Sequence, residues 1–159
     1  MTSSLTLPPC HLELRDTDKG KQEVFDPLRN RWVAFTPEEN VRQHFIAYLT
    51  DCLGFPAGCI GNEISLILNN TRRRCDSVIY DDNARPLALI EYKSPEVPIT
   101  PSTFNQILRY ALIFKVDWII VSNGIKNFCA KIRPDNLPHL VFTRSIPAYQ
   151  DMLLHRQSI

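Results

Sequence analysis

The stretch from Arg72 to Lys93, RRRCDSVIYDDNARPLALIEYK, contains two apolar runs separated by turn-forming residues. Apolar runs rich in β-branched residues, with Asp and Asn between them, predict two strands joined as a hairpin. Asp76 opens the first run, and a Glu-Tyr-Lys triplet that ends at Lys93 closes the second. The predicted hairpin therefore collects its charges at one end.

The register of this hairpin decides whether its two acidic residues meet. Symmetry about the bond between Asn83 and Ala84 places Asp76 opposite Glu91, although a bulge would move the register by one. Opposed residues on antiparallel strands have β-carbons about 4.5–5.5 Å apart, close enough for both carboxylates to reach one cation. The pattern thus predicts an acidic pair, which is repulsive unless a cation or a proton is shared.

Alternation along the second strand places Glu91 and Lys93 on the face that also carries Leu87 and Leu89. Tyr92 points to the other face. Such a Glu-x-Lys pair is either a solvated ion pair worth under about 1 kcal/mol or the acidic and basic parts of a metal-and-phosphate site. The facing aspartate favours the second interpretation.

The remaining elements predict an α/β fold. A capping box formed by Thr36 and Glu39 starts one helix, which ends before Gly54, and a second helix follows a proline-rich loop. Short apolar runs predict the other strands, and the last of them, NFCAKI, reads as an edge strand. The predicted order is helix, three strands, helix and two strands, with strands at 64–70, 118–124 and 127–132 besides the hairpin and the second helix at 102–115.

A length of 159 residues fits a single domain. Residues 1–35 form an N-terminal appendage with a short hairpin around an Asp-Pro turn, 36–132 form the core, and 133–159 form a C-terminal tail with a final helical turn or two. We expect the domain to act through one site.

Composition excludes several classes of protein. No apolar stretch approaches the ~20 residues of a membrane helix, and the N-terminus has no secretory signal pattern, so we expect a cytoplasmic protein without membrane contact. The five cysteines form no C-x-x-C pair, which indicates neither a disulfide framework nor a zinc site. The formal charge of +1 requires any nucleic-acid binding to rest on a local patch.

An ordered set of polar residues on these elements resembles the core of the PD-(D/E)XK nucleases. More closely, the segment from Phe25 to Ile132 resembles the N-terminal nuclease domain of type I restriction enzyme R subunits, in particular its short stand-alone form. This resemblance implies an αβββαβ core whose central mixed sheet is flanked by helices. The residues that carry it are Asp76, Glu91, Lys93, Gln106, Tyr110 and Glu39.

The same resemblance implies phosphodiester hydrolysis of DNA that depends on Mg²⁺ or Mn²⁺. Asp76, Glu91 and the backbone carbonyl of Tyr92 would be the metal ligands, and Lys93 would be the catalytic lysine. Cys75 stands where the family pattern has proline, a variation that removes no ligand.

The supporting residues also have simpler structural interpretations. The resemblance assigns Gln106 and Tyr110, one helical turn apart, to substrate contact and site support, but they also fit a solvated amide and a half-buried ring. Glu39 is an auxiliary acidic residue by the same resemblance, although the capping box alone accounts for it.

The basic cluster Arg72, Arg73 and Arg74 is either a set of phosphate contacts or an ordinary solvated face. Alternation lets at most two of these arginines share a direction.

These observations favour a Mg²⁺-dependent DNA endonuclease or a nuclease-like domain of a restriction or DNA-processing system. Because the sequence ends at Ile159, we expect a motor or specificity protein to be supplied separately. The main alternative is a catalytically inactive nucleic-acid-binding or assembly module, and a third is a protein-interaction domain with no nucleic-acid role. The sequence is compatible with a homodimer and indicates no particular oligomeric state.

Overall fold

The computed structural model describes residues 4–137 and 139–157, so positions 1–3, 138 and 158–159 of the predicted appendage and tail lie outside the described residues. Three short strands form an antiparallel sheet in the N-terminal region. The predicted hairpin around the Asp-Pro turn is present, and a further strand pairs with it. These strands are β1 (Leu14–Asp16), β2 (Gln22–Asp26) and β3 (Arg31–Ala34).

The first helix, α1 (Pro37–Cys52), begins where the sequence predicts. Thr36 Oγ1 accepts a hydrogen bond from the Glu39 backbone N–H, at 3.0 Å. The other half of the predicted capping box is absent, because the Glu39 carboxylate is taken by the side chains of Arg29, Arg42 and Gln43. One side-chain cap, Pro37 at the first position and burial of one face therefore define this helix.

A short 3₁₀ turn, Ala57–Cys59, leads into a six-stranded mixed sheet whose strand order follows the chain. The third and fourth of these strands run parallel, and all the other neighbouring pairs are antiparallel. The strands are β4 (Ile60–Leu68), β5 (Thr71–Tyr80), β6 (Pro86–Tyr92), β7 (Trp118–Ser122), β8 (Asn127–Ile132) and β9 (Leu140–Phe142).

Helix α2 (Pro101–Ile113) makes the crossover that a parallel β6–β7 pair requires, and helix α3 (Tyr149–Gln157) follows β9. One apolar cluster joins α1 and α3 to the sheet through Phe45, Tyr92 and Met152. A second joins α2 to the sheet through Phe104 and Val121. Helices therefore cover the sheet on both faces, which confirms the predicted α/β class with a central mixed sheet.

Three details differ from the sequence predictions. Strand β8 is not an edge strand, because the Leu140–Phe142 run pairs with it as β9. Strand β4 begins four residues before the predicted start at Ile64. Leu87 packs in the cluster of α1 rather than beside Leu89, because a bulge next to Tyr80 shifts the register there.

Within residues 4–137 and 139–157, no helix is both long enough and apolar enough to cross a membrane. All five cysteines are free thiols, two of them buried.

Candidate active site

The β5–β6 hairpin has the predicted register at its open end. Ser77 pairs with Ile90 and Val78 pairs with Leu89, so the next position along β5, Asp76, falls beside Glu91. The Tyr92 backbone N–H donates a hydrogen bond to Asp76 Oδ2, at 2.9 Å. Asp76 is therefore fixed to the end of β6, at the residue directly before the lysine of the Glu-Tyr-Lys triplet.

Asp76 lies among negative charges. The β4–β5 ladder pairs the residues on either side of Glu63 with the residues on either side of Asp76, which places these two acids beside each other. Burial raises the pKa of Asp76, and the charges of Glu91 and Glu63 raise it further, against the Tyr92 N–H and Arg42. The ionised form of Asp76 is thus energetically unfavourable in the folded protein, and a bound cation would make it less so.

Glu91 is held by two cationic side chains. Lys93 Nζ lies 3.1 Å from Glu91 Oε1, and Arg73 Nη2 lies 3.3 Å from Glu91 Oε2. The Arg73 guanidinium carbon also lies 4.7 Å from the centroid of the Tyr110 ring, a cation–π arrangement. Tyr110 therefore contacts Arg73, which in turn contacts Glu91, whereas Gln106, one helical turn away, is solvent-exposed.

The buried side chain of Arg42 connects three acidic residues of the site. It is 3% exposed, and its Nη1 and Nη2 lie 2.7 Å from Glu39 and from Glu63. Its Nη2 also lies 4.0 Å from Asp76 Oδ1, and the guanidinium sits over the Tyr92 ring at 5.5 Å. Among the residues that the structure describes, the buried Arg42 Nε has no hydrogen-bond partner, so the side chain is held through its two terminal nitrogens.

Glu38 and Glu39, two consecutive acidic residues of α1, have different surroundings. Glu39, 6% exposed, ends in the Arg29–Arg42 network and reaches the site through Arg42. The half-buried Glu38 lies in the field of the site itself: burial raises its pKa, as do the charges of Asp76 and Glu91, while Arg42 and Lys93 oppose the rise. The sequence contains no signal for Glu38, because the capping pattern of Thr36 includes only its neighbour Glu39.

The three arginines of the cluster take different partners. Arg73 reaches Glu91, Arg74 Nε lies 2.6 Å from Glu63 Oε2, and Arg72 Nη2 lies 3.4 Å from the hydroxyl of Ser65. The strand alternation thus turns Arg73 toward α2 and the other two away from it.

The donors at the hairpin end suit a hard divalent cation. Carboxylates and a backbone carbonyl are the oxygen ligands that Mg²⁺ and Mn²⁺ take, usually with water completing the coordination. Among the residues that the structure describes, no three His, Cys, Asp or Glu side chains converge as a metal-holding group.

The model of the family "Type I restriction enzyme R protein N terminus" matches residues 37–147, which is more than half of the chain. The matched range runs from α1 through β9 and includes Asp76, Glu91 and Lys93. The chain belongs to this family. As a type I restriction enzyme R protein N-terminal domain, it is a nuclease-related part of a restriction system. No curated protein matches the chain.

Proposed function

We propose that this type I R protein N-terminal domain is a DNA endonuclease dependent on Mg²⁺ or Mn²⁺. The observation that carries the proposal is the β5–β6 register, which sets Asp76 beside Glu91 with Lys93 Nζ 3.1 Å from the Glu91 carboxylate. Two acids and a lysine at one end of a hairpin are the groups that phosphodiester hydrolysis with a divalent cation uses.

Asp76, Glu91 and the Tyr92 backbone carbonyl would hold the cation. When bound, a divalent ion supplies Lewis-acid polarisation of the phosphate and a lowered pKa of water. The raised pKa of Asp76 supports this assignment, because a cation beside the carboxylates offsets their mutual repulsion. We add Glu38 to the site as a further carboxylate, because the charges of Asp76 and Glu91 act on it.

Lys93 and Arg73 would act on the substrate. In the structure both neutralise Glu91, with contacts of 3.1 and 3.3 Å. With a divalent ion at Glu91, these two side chains would be available to a phosphate group beside it. Fixed cations at the position where negative charge develops stabilise the transition state, and Lys93 also orients the attacking water.

The proposed setting is a restriction system in the cytoplasm. DNA is the substrate, and a motor or specificity subunit directs the domain to its target. Membership of the R protein family supports this setting, because the family is defined within type I restriction enzymes.

A cleavage assay with supercoiled plasmid DNA and Mg²⁺ or Mn²⁺ tests the proposal. We expect nicking by the wild type, and a loss of about 10²-fold or more in Asp76→Asn and in Lys93→Met. Lys21→Met, at an exposed lysine directly before β2, is the matched control and should cut at the wild-type rate. Equal cleavage by all four proteins would remove Asp76 and Lys93 from the chemistry.

One observation favours the alternative of a catalytically inactive DNA-binding module: both Glu91 oxygens are already neutralised by side chains. This alternative predicts salt-sensitive DNA binding that persists in Asp76→Asn, without cleavage under any divalent metal ion. Plasmid nicking that requires Asp76 would eliminate it.

A further inference from the structure

The β4–β5 hairpin continues beyond the rest of the sheet as a two-stranded ribbon, residues 65–74. The β5–β6 ladder begins at Ser77, whereas the β4–β5 ladder continues outward to the pair of Leu68 and Thr71. Four residues of each strand, 65–68 and 71–74, extend roughly 13 Å at a rise of about 3.3 Å per residue, and the turn lies beyond them. The ribbon starts next to Asp76, so it stands beside the candidate active site.

The two faces of the ribbon differ. On the inner face, Leu66 packs against the apolar cluster of α2, and its cross-strand partner Arg73 lies over Tyr110. The outer face consists of two cross-strand pairs whose four residues are all exposed. We define the outer face by these residues: Ser65, Ile67, Arg72 and Arg74.

The ribbon carries charge of one sign. Residues 64–75 include three arginines and no acidic residue, in a chain with a formal charge of +1. Arg72 contacts a hydroxyl, and among the residues that the structure describes it has no acidic partner. The Arg74 side chain is 69% exposed even though its Nε contacts Glu63. The outer face therefore presents cationic side chains to an anionic partner.

The tip of the ribbon is a tight turn made by Asn69 and Asn70. Their φ angles are 51° and 65°, the left-handed values that a two-residue hairpin turn requires. Both asparagines are exposed. An asparagine amide can pair with the edge of adenine in the major groove, and the exposed Ile67 below the tip suits the thymine methyl group.

We propose that the outer face and tip of this ribbon bind duplex DNA by lying in its major groove. The groove is about 12 Å wide and admits a two-stranded ribbon, and Arg72 and Arg74 would contact the phosphates at its edge. The ribbon is coupled to the site, because Arg74 contacts Glu63, Glu63 contacts Arg42, and Arg42 lies 4.0 Å from Asp76. This inference rests on the proposed nuclease function and assigns its DNA-binding surface.

Fluorescence anisotropy with a labelled 20-base-pair duplex, in EDTA so that no cleavage occurs, tests the ribbon. We expect Arg72→Glu to weaken duplex binding about tenfold and to reduce the salt dependence by roughly one phosphate contact. Asn69→Gly with Asn70→Gly keeps the turn geometry while removing both amides, and it should weaken binding several-fold. Arg31→Glu, on an exposed arginine of β3, makes the same charge change away from the ribbon and should bind like the wild type.

Three results would overturn the proposal. One is duplex affinity unchanged in both ribbon variants with their circular dichroism intact, and another is an equal loss in Arg31→Glu. The third is an effect on self-association, measured by sedimentation velocity, in place of an effect on DNA, which would make the ribbon a contact between two copies of this chain.

The plasmid assay separates this inference from the proposed function. A wild type that binds duplex through the ribbon but nicks no plasmid leaves the ribbon standing and refutes the nuclease. Plasmid nicking that is unaffected by Arg72→Glu, in a variant with wild-type duplex affinity, refutes the ribbon and leaves the nuclease standing.

Discussion

Arg73 and Glu91, on neighbouring strands, form an ion pair with 3.3 Å between Nη2 and Oε2. Arg73→Gln removes the guanidinium. One oxygen of Glu91 then loses its ion-pair partner, and the positive charge near the site decreases. Because a partly exposed pair is worth up to about 1 kcal/mol, we expect Mn²⁺ to bind up to about fivefold more tightly. Isothermal titration calorimetry with Mn²⁺ measures the change directly, without DNA.

Arg72→Gln is the matched control for that titration. It removes the same charge one residue away, but Arg72 contacts Ser65 rather than a carboxylate. We expect its Mn²⁺ affinity to stay close to that of the wild type. Equal tightening in both variants would indicate a general charge effect, and unchanged affinity in Arg73→Gln would show that Arg73 does not compete with the cation.

Asp76 is predicted to reduce the stability of the protein at neutral pH. Its folded-state pKa lies above the ordinary 3.8, because burial and the charges of Glu91 and Glu63 disfavour the ionised form. Between those two pKa values the folded state binds more protons than the unfolded state, so the free energy of unfolding falls as the pH rises through this interval. Asp76→Asn should therefore raise Tm at pH 7 in EDTA, by ~2–4 °C for each kcal/mol gained in the free energy of unfolding.

Thermal melts across pH check this expectation. The difference between the two proteins should shrink as the pH falls toward 3.8 and be smallest below that value, and Mg²⁺ should raise the Tm of the wild type more than that of Asp76→Asn. Asp81→Asn is the opposite case, because the hydrogen bonds and charges around Asp81 lower its pKa, and it should lose stability at pH 7. A fall in Tm for Asp76→Asn at neutral pH would contradict the argument.

Much of the fold follows from local sequence signals. The Thr36 cap, the hairpin turn and the apolar runs set the order of the elements, and the symmetry of the turn gives the register from Ser77 to Ile79 correctly. The bulge at Tyr80 depends on Ala84, which adopts a φ of 60° at the turn. Few residues other than glycine, asparagine and aspartate adopt such a value, so the sequence contains no clear signal for it.

The sequence predicts the part of the candidate site that lies on the β5–β6 hairpin. It predicts less of the part where α1 and β4 meet that hairpin. Glu91 and Lys93 are two residues apart on a strand, which fixes their common face. The placement of Glu63 beside Asp76 depends on the long-range β4–β5 pairing and on a left-handed φ of 56° at Glu63. The role of Arg42 depends on long-range pairing as well, because its partners Glu63 and Asp76 come from β4 and β5.

Glu38 and Glu39 are predicted to respond differently to the same substitution. Glu39→Gln removes the charge that Arg29 and Arg42 share in a buried cluster, so we expect a loss of roughly 3 kcal/mol in the free energy of unfolding. Glu38→Gln removes a carboxylate whose raised pKa shows it to be disfavoured when ionised, so stability at pH 7 should be unchanged or slightly higher. Urea denaturation of the two variants makes the comparison.

The plasmid assay then distinguishes a residue that only stabilises the fold around the site from one that affects the metal-dependent reaction. We expect Glu38→Gln to change the Mg²⁺ concentration needed for nicking, whereas a folded Glu39→Gln protein at low temperature should keep the wild-type requirement. The reverse pattern would assign the auxiliary role to Glu39, as the family resemblance alone suggests.

Arg156 is predicted to attach the C-terminal helix to the central sheet. Its Nη1 lies 2.8 Å from the buried Asp81, its Nε lies 2.9 Å from Asp117, and its Nη2 donates to the Pro86 carbonyl at 2.7 Å. Because Arg156→Met leaves a buried carboxylate with fewer partners, we expect a loss of roughly 3 kcal/mol by urea denaturation. Arg85 also pairs with Asp81 but its side chain is 63% exposed, so Arg85→Met should cost under about 1 kcal/mol. Equal losses in the two variants would show that Asp81, and not the attachment of the helix, determines the effect.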